Sequence, residues 1–122
     1  MNVERELLRG VVPVHVLHHA AREPVHGAWM STELARHGYP ISPGTLYPLL
    51  HRMQRDGLLE STTHTVEGRV LRSYRATAKG LRLLDRLREM VREVAREVLP
   101  GTGDHVTLSS DDRGEADDRE ER

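Results

Sequence analysis

Residues 4 to 21 place Leu7, Val11, Val14, Leu17 and Ala21 at intervals of three and four, the spacing of a helix with one buried stripe. Pro13 falls inside that span. Proline is well tolerated only in a first turn, so the pattern predicts a main helix starting near Gly10 or Val11, with residues 4 to 9 as a separate lead-in turn. After a break at Arg22-Glu23-Pro24, Trp29, Met30 and Leu34 mark a short second helix, which Gly38 can end in a left-handed cap, with Tyr39 beyond the turn. A third begins at Ser42-Pro43, serine as the capping residue and proline at the first helical position. Its apolar residues Leu46, Leu49, Leu50 and Met53 sit at i, i+3, i+4 and i+7, and Asp56-Gly57 closes it.

From Leu58 the period changes. Leu58 to Thr65 and Arg69 to Thr77 are rich in threonine, valine and tyrosine, and the glycine-containing link Val66-Glu67-Gly68 joins them as a β-hairpin. Thr77 can cap a last helix that runs to about Leu99. Within it Leu84, Leu87, Val91, Val94 and Val98 repeat at 3, 4, 3 and 4, a heptad seam suited to dimerisation. Such a seam can also pack against its own domain. Pro100-Gly101 stops the helix, and the remaining residues are acidic and almost free of apolar side chains, which predicts a disordered tail.

Three helices followed by a two-stranded wing define a mainly α (α+β) fold, the winged helix-turn-helix, in which the third helix enters the DNA major groove and the wing lies along the backbone. The expected organisation is a winged helix-turn-helix domain over residues 1 to 76, a dimerisation helix over 77 to 99 and an acidic tail over 100 to 122.

Composition sharpens this picture. The net charge of the 122-residue chain is -1, yet residues 101 to 122 carry eight acids against three arginines, so residues 1 to 100 are basic by +4. Arginine supplies 17 of the 18 basic residues, which suits bidentate contact with phosphate or guanine. With no cysteine, disulfides and thiolate metal sites are excluded. No apolar run approaches the roughly 18 residues needed to span a bilayer, so the expectation is a cytoplasmic protein without a membrane segment. No nucleophile-base-acid set, phosphate loop or paired carboxylates stand out, so no enzyme is expected.

With Leu46, Leu49, Leu50 and Met53 turned inward, Thr45, Pro48, Arg52 and Arg55 of the third helix face outward, with Tyr47, His51 and Gln54 on the flanks. Pro48 lacks an N–H that would have bonded the Gly44 carbonyl, one bond in a turn that already has unsatisfied groups. Gly44 leaves the helix tip without a Cβ, open to close approach by phosphates. Arg69, Arg72 and Arg75 lie three apart in the second wing strand, near Lys79, and supply cations for the backbone.

These stretches carry a family likeness. "SPGTLYPLLHRMQRDGLLES", preceded by "EPVHGAWM" and followed by "GRVLRSYRATAKGLRLL", resembles the PadR family of bacterial transcriptional regulators over about residues 7 to 95. The resemblance implies a winged-helix homodimer that represses transcription from double-stranded DNA, with the C-terminal helix packed on the partner subunit. The single final helix is similar to the short branch of the family. Ser42, Gly44, Thr45 and Tyr47 match its helix-tip residues that face DNA, and Arg69 and Arg72 match its basic wing. With His51 and Arg52 from the outward face, these make up the expected DNA-binding set on a pseudo-palindromic operator, with a small-molecule or other signal as the releasing effector.

Two departures from the family pattern stand out. Ala28 follows His26-Gly27 where the family usually carries an aromatic, the ring having moved to Trp29, and the last helix has no aromatic. Leu8, Val12, His15 and His19 form a second stripe on the first helix, and His15, His18 and His19, at i, i+3 and i+4, share a face that could ligate a divalent metal or respond to pH. The alternatives to an effector-released repressor are thus a metal-responsive repressor using these three histidines and a winged-helix module that binds another protein.

Overall fold

A computed structural model describes residues 1–101. The order is α1 (Val3–Arg22), β1 (Val25–His26), α2 (Gly27–Arg36), α3 (Pro43–Arg55), β2 (Leu59–Val66), β3 (Arg69–Ala76) and α4 (Ala78–Val98). The chain divides into two compact units, one covering Met1–Asp85 and the other beginning at Arg86 within α4. The expected acidic tail lies outside the described residues from 102 onward.

The hairpin forms in full register, from Leu59 opposite Ala76 to Val66 opposite Arg69. Its turn has only two central residues, Glu67 (φ 51°) and Gly68 (φ 77°), the left-handed pair of a type I′ turn, whose twist matches that of the strands. The sheet has a third member beyond the expected two. Val25 and His26 pair antiparallel with Tyr74 and Ser73, giving the order β1-β3-β2. A two-residue strand has no periodicity to betray it; what stabilises it is the pairing, with Val25 buried against the core.

The first helix differs from expectation in two respects. It is continuous from Val3 rather than starting near Gly10, because Asn2 caps it: the Asn2 side chain accepts a hydrogen bond from the Arg5 N–H at 2.9 Å. With Glu4 and Glu6 in the first turn as well, the start is stable enough to carry the one hydrogen bond that Pro13 removes. The buried face is also rotated. Val12, Val16, Leu17 and Ala20 form it, while Leu7 is 67 % exposed and Val11, Val14 and Ala21 are half-buried. Both apolar arcs satisfy a 3/4 spacing, and the inward one is the arc that α2 and β3 cover.

The core gathers Leu17 and Val16 of α1, Met30 and Leu34 of α2, Leu46 and Leu50 of α3, Leu59 of β2 and Leu84 of α4, all essentially inaccessible. Each such leucine or methionine contributes about 1.5–3 kcal/mol. Gly38 (φ 88°) terminates α2 as expected, with the Tyr39 N–H returning to the Leu34 carbonyl at 2.8 Å. Leu49 departs from the expected core face of α3 and is only half-buried.

The end of α3 and the start of α4 form a single joint. The Leu58 N–H bonds the Met53 carbonyl (2.8 Å), and the Thr77 N–H bonds the Leu58 carbonyl (3.1 Å). The Thr77 hydroxyl donates to the Gly57 carbonyl (2.5 Å) and accepts from the Gly80 N–H (3.0 Å), so it caps α4 and ties it to α3. Lys79 Nζ donates to the Asp56 carbonyl at 2.8 Å. Gly80 is buried so closely that a Cβ there would overlap the Leu58 carbonyl oxygen. Gly80→Ala is therefore expected to destabilise the protein by about 1–3 kcal/mol despite alanine's better helix propensity. At Gly10, exposed and with open space for 4 Å around the position a Cβ would take, the same change should instead stabilise by up to roughly 1 kcal/mol. Thermal denaturation of the two variants checks both signs.

Candidate nucleic-acid interface

The tip of α3 is built from Ser42, Pro43, Gly44 and Thr45. The Ser42 carbonyl accepts from the N–H groups of Thr45 (3.0 Å) and Leu46 (2.9 Å), while its hydroxyl donates to Thr45 Oγ1 at 3.3 Å. Ser42 is thus the capping residue by position, but its side chain makes no bond to the helix backbone. With Leu46, Leu50 and Met53 buried, the faces fall as the spacing requires: Ser42, Gly44, Thr45, Pro48, His51, Arg52 and Arg55 are exposed. Pro48 leaves α3 unbroken. Tyr47, 39 % exposed, is not a free helix-tip residue, because its ring lies against Gly27, where a Cβ would overlap it. The glycine of the His-Gly pair makes room for this ring and so sets how α3 rests on α2.

The wing adds exposed cations. Arg69, Arg72 and Arg75 are exposed on β3, and strand alternation puts Arg72 on the opposite face from the other two. Arg72 lines an open cleft of about 400 Å³ with His51, Gln54 and Arg55 of α3. The structure thereby joins two expected site residues, His51 and Arg72, and adds Gln54 and Arg55, which the expected set did not include. Arg69 stands at the far end of the wing, opposite Val66 beside the hairpin turn. The wing is braced at its base, where the His26 ring N–H donates to the Arg72 carbonyl at 3.3 Å and packs 5.4 Å from the His64 ring. On the other side of α3, Thr45 and Arg52 border a second cavity of about 570 Å³, floored by Leu8, Val12, Ile41 and Leu49, which accounts for the partial exposure of Leu49.

The histidines of α1 lie away from the wing, against α2. The His15 ring sits 5.9 Å from His19 and 5.3 Å from His37, with Tyr39 edge-on at 5.0 Å. His18 packs edge-on to His19 at 4.9 Å, and His19 edge-on to Trp29 at 5.2 Å. At the centre is Glu33, a buried carboxylate held by Arg36 (3.0 and 3.2 Å) and by His37 Nε2 (3.0 Å), with His19 Nε2 at 3.7 Å. Neither Glu33 nor His37 belongs to the expected cluster, although Glu33, Arg36 and the α2 C-cap His37 fall at i, i+3 and i+4. Among the described residues, no group of three or more histidine or carboxylate side chains is placed to hold a metal ion, the run His15, His18 and His19 included.

This surrounding shifts protonation. The Arg36 hydrogen bonds, helped by His37 and opposed by burial, hold the Glu33 carboxyl below its ordinary range. Burial, then the neighbouring imidazoles, lowers His15 and His19, with Glu33 opposing in both. His15 Nδ1 and His19 Nε2 are buried without a hydrogen bond.

Three helices, a reading helix with an exposed polar tip and a basic wing beside it define the winged helix-turn-helix class of DNA-binding regulators. Residues 16–86 match the model of the transcriptional regulator PadR-like family. A transcriptional regulator of Mycobacterium tuberculosis, Rv3488, is 56 % identical over 97 residues, which cover 80 % of this chain and 91 % of that one. Among solved structures, a PadR family regulator from Eggerthella lenta superposes with a TM-score of 0.71 at 35 % identity, over 79 % of this chain and 85 % of that one. A PadR-like regulator from Bacillus cereus gives 0.68 at 35 % identity, over 79 % and 98 %. The chain belongs to the PadR-like family of transcriptional regulators and is a DNA-binding regulator of transcription.

The lowered histidines make stability depend on pH. Because His15 and His19 titrate below 6.5 when folded, the unfolded chain binds more protons between those lower values and 6.5. The contribution is fully present above 6.5 and is lost as pH falls through the folded values. The melting temperature should therefore drop between about pH 7.5 and pH 5.5, and the drop should shrink in His15→Gln. An equal drop in that variant would assign the effect elsewhere.

Proposed function

We propose that the protein is a homodimeric repressor of a pseudo-palindromic operator, with two copies of α3 entering successive major grooves about 34 Å apart. The observation that carries the reading is the cleft in which His51, Gln54 and Arg55 of α3 meet Arg72 of the wing. A phosphate seated there would be held between the reading helix and the wing, fixing the register in which Thr45 and Arg52 approach the base edges. Ser42 and Gly44 add a hydroxyl and a backbone without Cβ at the helix tip. Arg69 reaches the backbone from the wing end, and Tyr47 acts through its seat on Gly27.

Dimerisation is supported by α4. Leu84, the first residue of the heptad seam, is buried within its own unit, whereas Leu87 is half-buried and Val91, Val94 and Val98 are 54, 59 and 66 % exposed. Met90 and Leu99, also largely exposed, widen this into an apolar surface that a second copy of the helix would cover. Release by a small-molecule or other signal completes the proposal.

Replacing Arg69 and Arg72 by alanine should weaken binding on every sequence and reduce the salt slope of log K by about two, one for each phosphate no longer neutralised. Unchanged operator affinity in the double variant would remove the wing from the interface. Val91→Asp should yield monomers by light scattering, since it puts a charge in the middle of the apolar surface; a dimer that persists would place the interface elsewhere.

A further inference from the structure

We propose that the cavity between the N-terminal half of α1 and α3 binds a medium-chain fatty-acid anion. At about 570 Å³ it lies within the roughly 300–1,000 Å³ of small-ligand sites, and its lining divides into an apolar floor and a cationic rim. On α1, Arg5, Leu8, Arg9 and Val12 stand at i, i+3, i+4 and i+7, so one helix face supplies both parts. Ile41 and Leu49 complete the floor from the α3 side, and Arg52 completes the rim. Val12 is buried, whereas Leu8, Ile41 and Leu49 are only half-buried.

The rim selects an anion. Among the described residues, no carboxylate pairs with Arg5, Arg9 or Arg52, whereas Arg36, Arg55, Arg92 and Arg96 each hold a carboxylate of the chain. The described lining of the cavity contains no acid either. Three guanidinium groups beside an apolar floor offer bidentate bonds to a carboxylate in partly desolvated surroundings. The Thr45 hydroxyl accepts from Ser42 Oγ at 3.3 Å, and its own proton is left to donate to the same head group.

The floor selects an alkyl body. Its side chains are branched aliphatic ones, with Pro40 beside them, and Tyr39 is the one aromatic of the described lining, so no pair of rings stands ready to clamp a flat ligand. A flexible chain can follow such a surface and remove Leu8, Ile41 and Leu49 from water. Bound there, the ligand would hold Arg52 and Thr45 on its carboxylate and keep both from DNA, which makes the site a source of the releasing signal. That consequence rests on the reading of α3 as the helix that meets DNA; the binding itself does not.

The test titrates the full-length protein with sodium decanoate below its micellar range, by calorimetry and in the absence of DNA. One site per chain with a dissociation constant below about 1 mM is the expected result. Octanoate should bind about four- to tenfold more weakly than decanoate, having two methylenes fewer on the floor. Octanol, which lacks the charge, should bind at least about fivefold more weakly than octanoate. Arg9→Gln and Ile41→Ser should each weaken decanoate at least about fivefold, while Arg22→Gln, at the far end of α1, leaves it within about twofold. Circular dichroism establishes that each variant is folded. Absence of saturable binding, octanol as tight as octanoate, inorganic phosphate as tight as decanoate, or an unaffected affinity in folded Arg9→Gln would each overturn the proposal. Decanoate should also weaken operator binding by the parent and by Arg22→Gln at concentrations that do not affect Arg9→Gln. Decanoate that binds yet leaves operator affinity unchanged would overturn the releasing role, and a protein that binds decanoate but no operator would overturn the reading of α3 while the site stands.

Discussion

The approach of α4 to the turn after α3 is the contact on which the other elements depend. The Leu58 carbonyl is hydrogen-bonded to the Thr77 N–H and lies where a side chain at position 80 would begin, so the backbones meet as closely as glycine allows. Four elements are thereby fixed at one point: the end of α3, the start of β2, the end of β3 and the first turn of α4. The reading helix, both long strands of the wing and the helix that leads to the exposed heptad surface share a common origin. Thr77 uses both its donor and its acceptor in this joint, which leaves no hydroxyl function unsatisfied beside a buried glycine.

The opposite side of the domain is organised by charge. Glu33 is buried where an apolar residue would have served packing alone, and its cost is offset by a guanidinium and an imidazole from its own helix and by an imidazole of α1 nearby. Around it, His15 and His19 occupy positions on α1 next to the core valines 12 and 16. The α1–α2 contact is thus half apolar and half titratable, while the α3–α4 joint is dominated by hydrogen bonds to the backbone. The second lies at the end of α3 and the titratable cluster at the first, and α2 touches both, through Glu33 on one side and the contact of Gly27 with Tyr47 on the other.

Much of this could be read from the sequence where a residue has one physical solution. Gly38 and Gly57 mark helix ends because both adopt positive φ, Thr77 caps because its hydroxyl precedes a free N–H by three residues, and Leu46, Leu50 and Met53 have no second apolar arc to compete with. The first helix has two arcs, and spacing alone does not choose between them; the choice is made by α2 and β3, which are distant in sequence. For the same reason Val25 and His26 carry no strand signal, and nothing in the spacing of His37 joins it to His15. The outward set on α3 and the wing arginines were visible one element at a time, but that Arg72 rather than Arg69 meets His51 depends on which face of β3 turns toward the helix. Resemblance to the PadR family supplied what periodicity could not, an expected role for that outward set.

The seat of Tyr47 on Gly27 has a consequence for how such a protein can change over generations. The ring occupies the space in which any side chain at position 27 would begin, so a side chain gained there displaces the ring. A lineage that gains a Cβ at position 27 must shrink or move the ring at 47, on the flank of α3. Variation on the outer side of α3 is therefore coupled to a position beneath it, so a change at 27 is felt on a helix in which it takes no part.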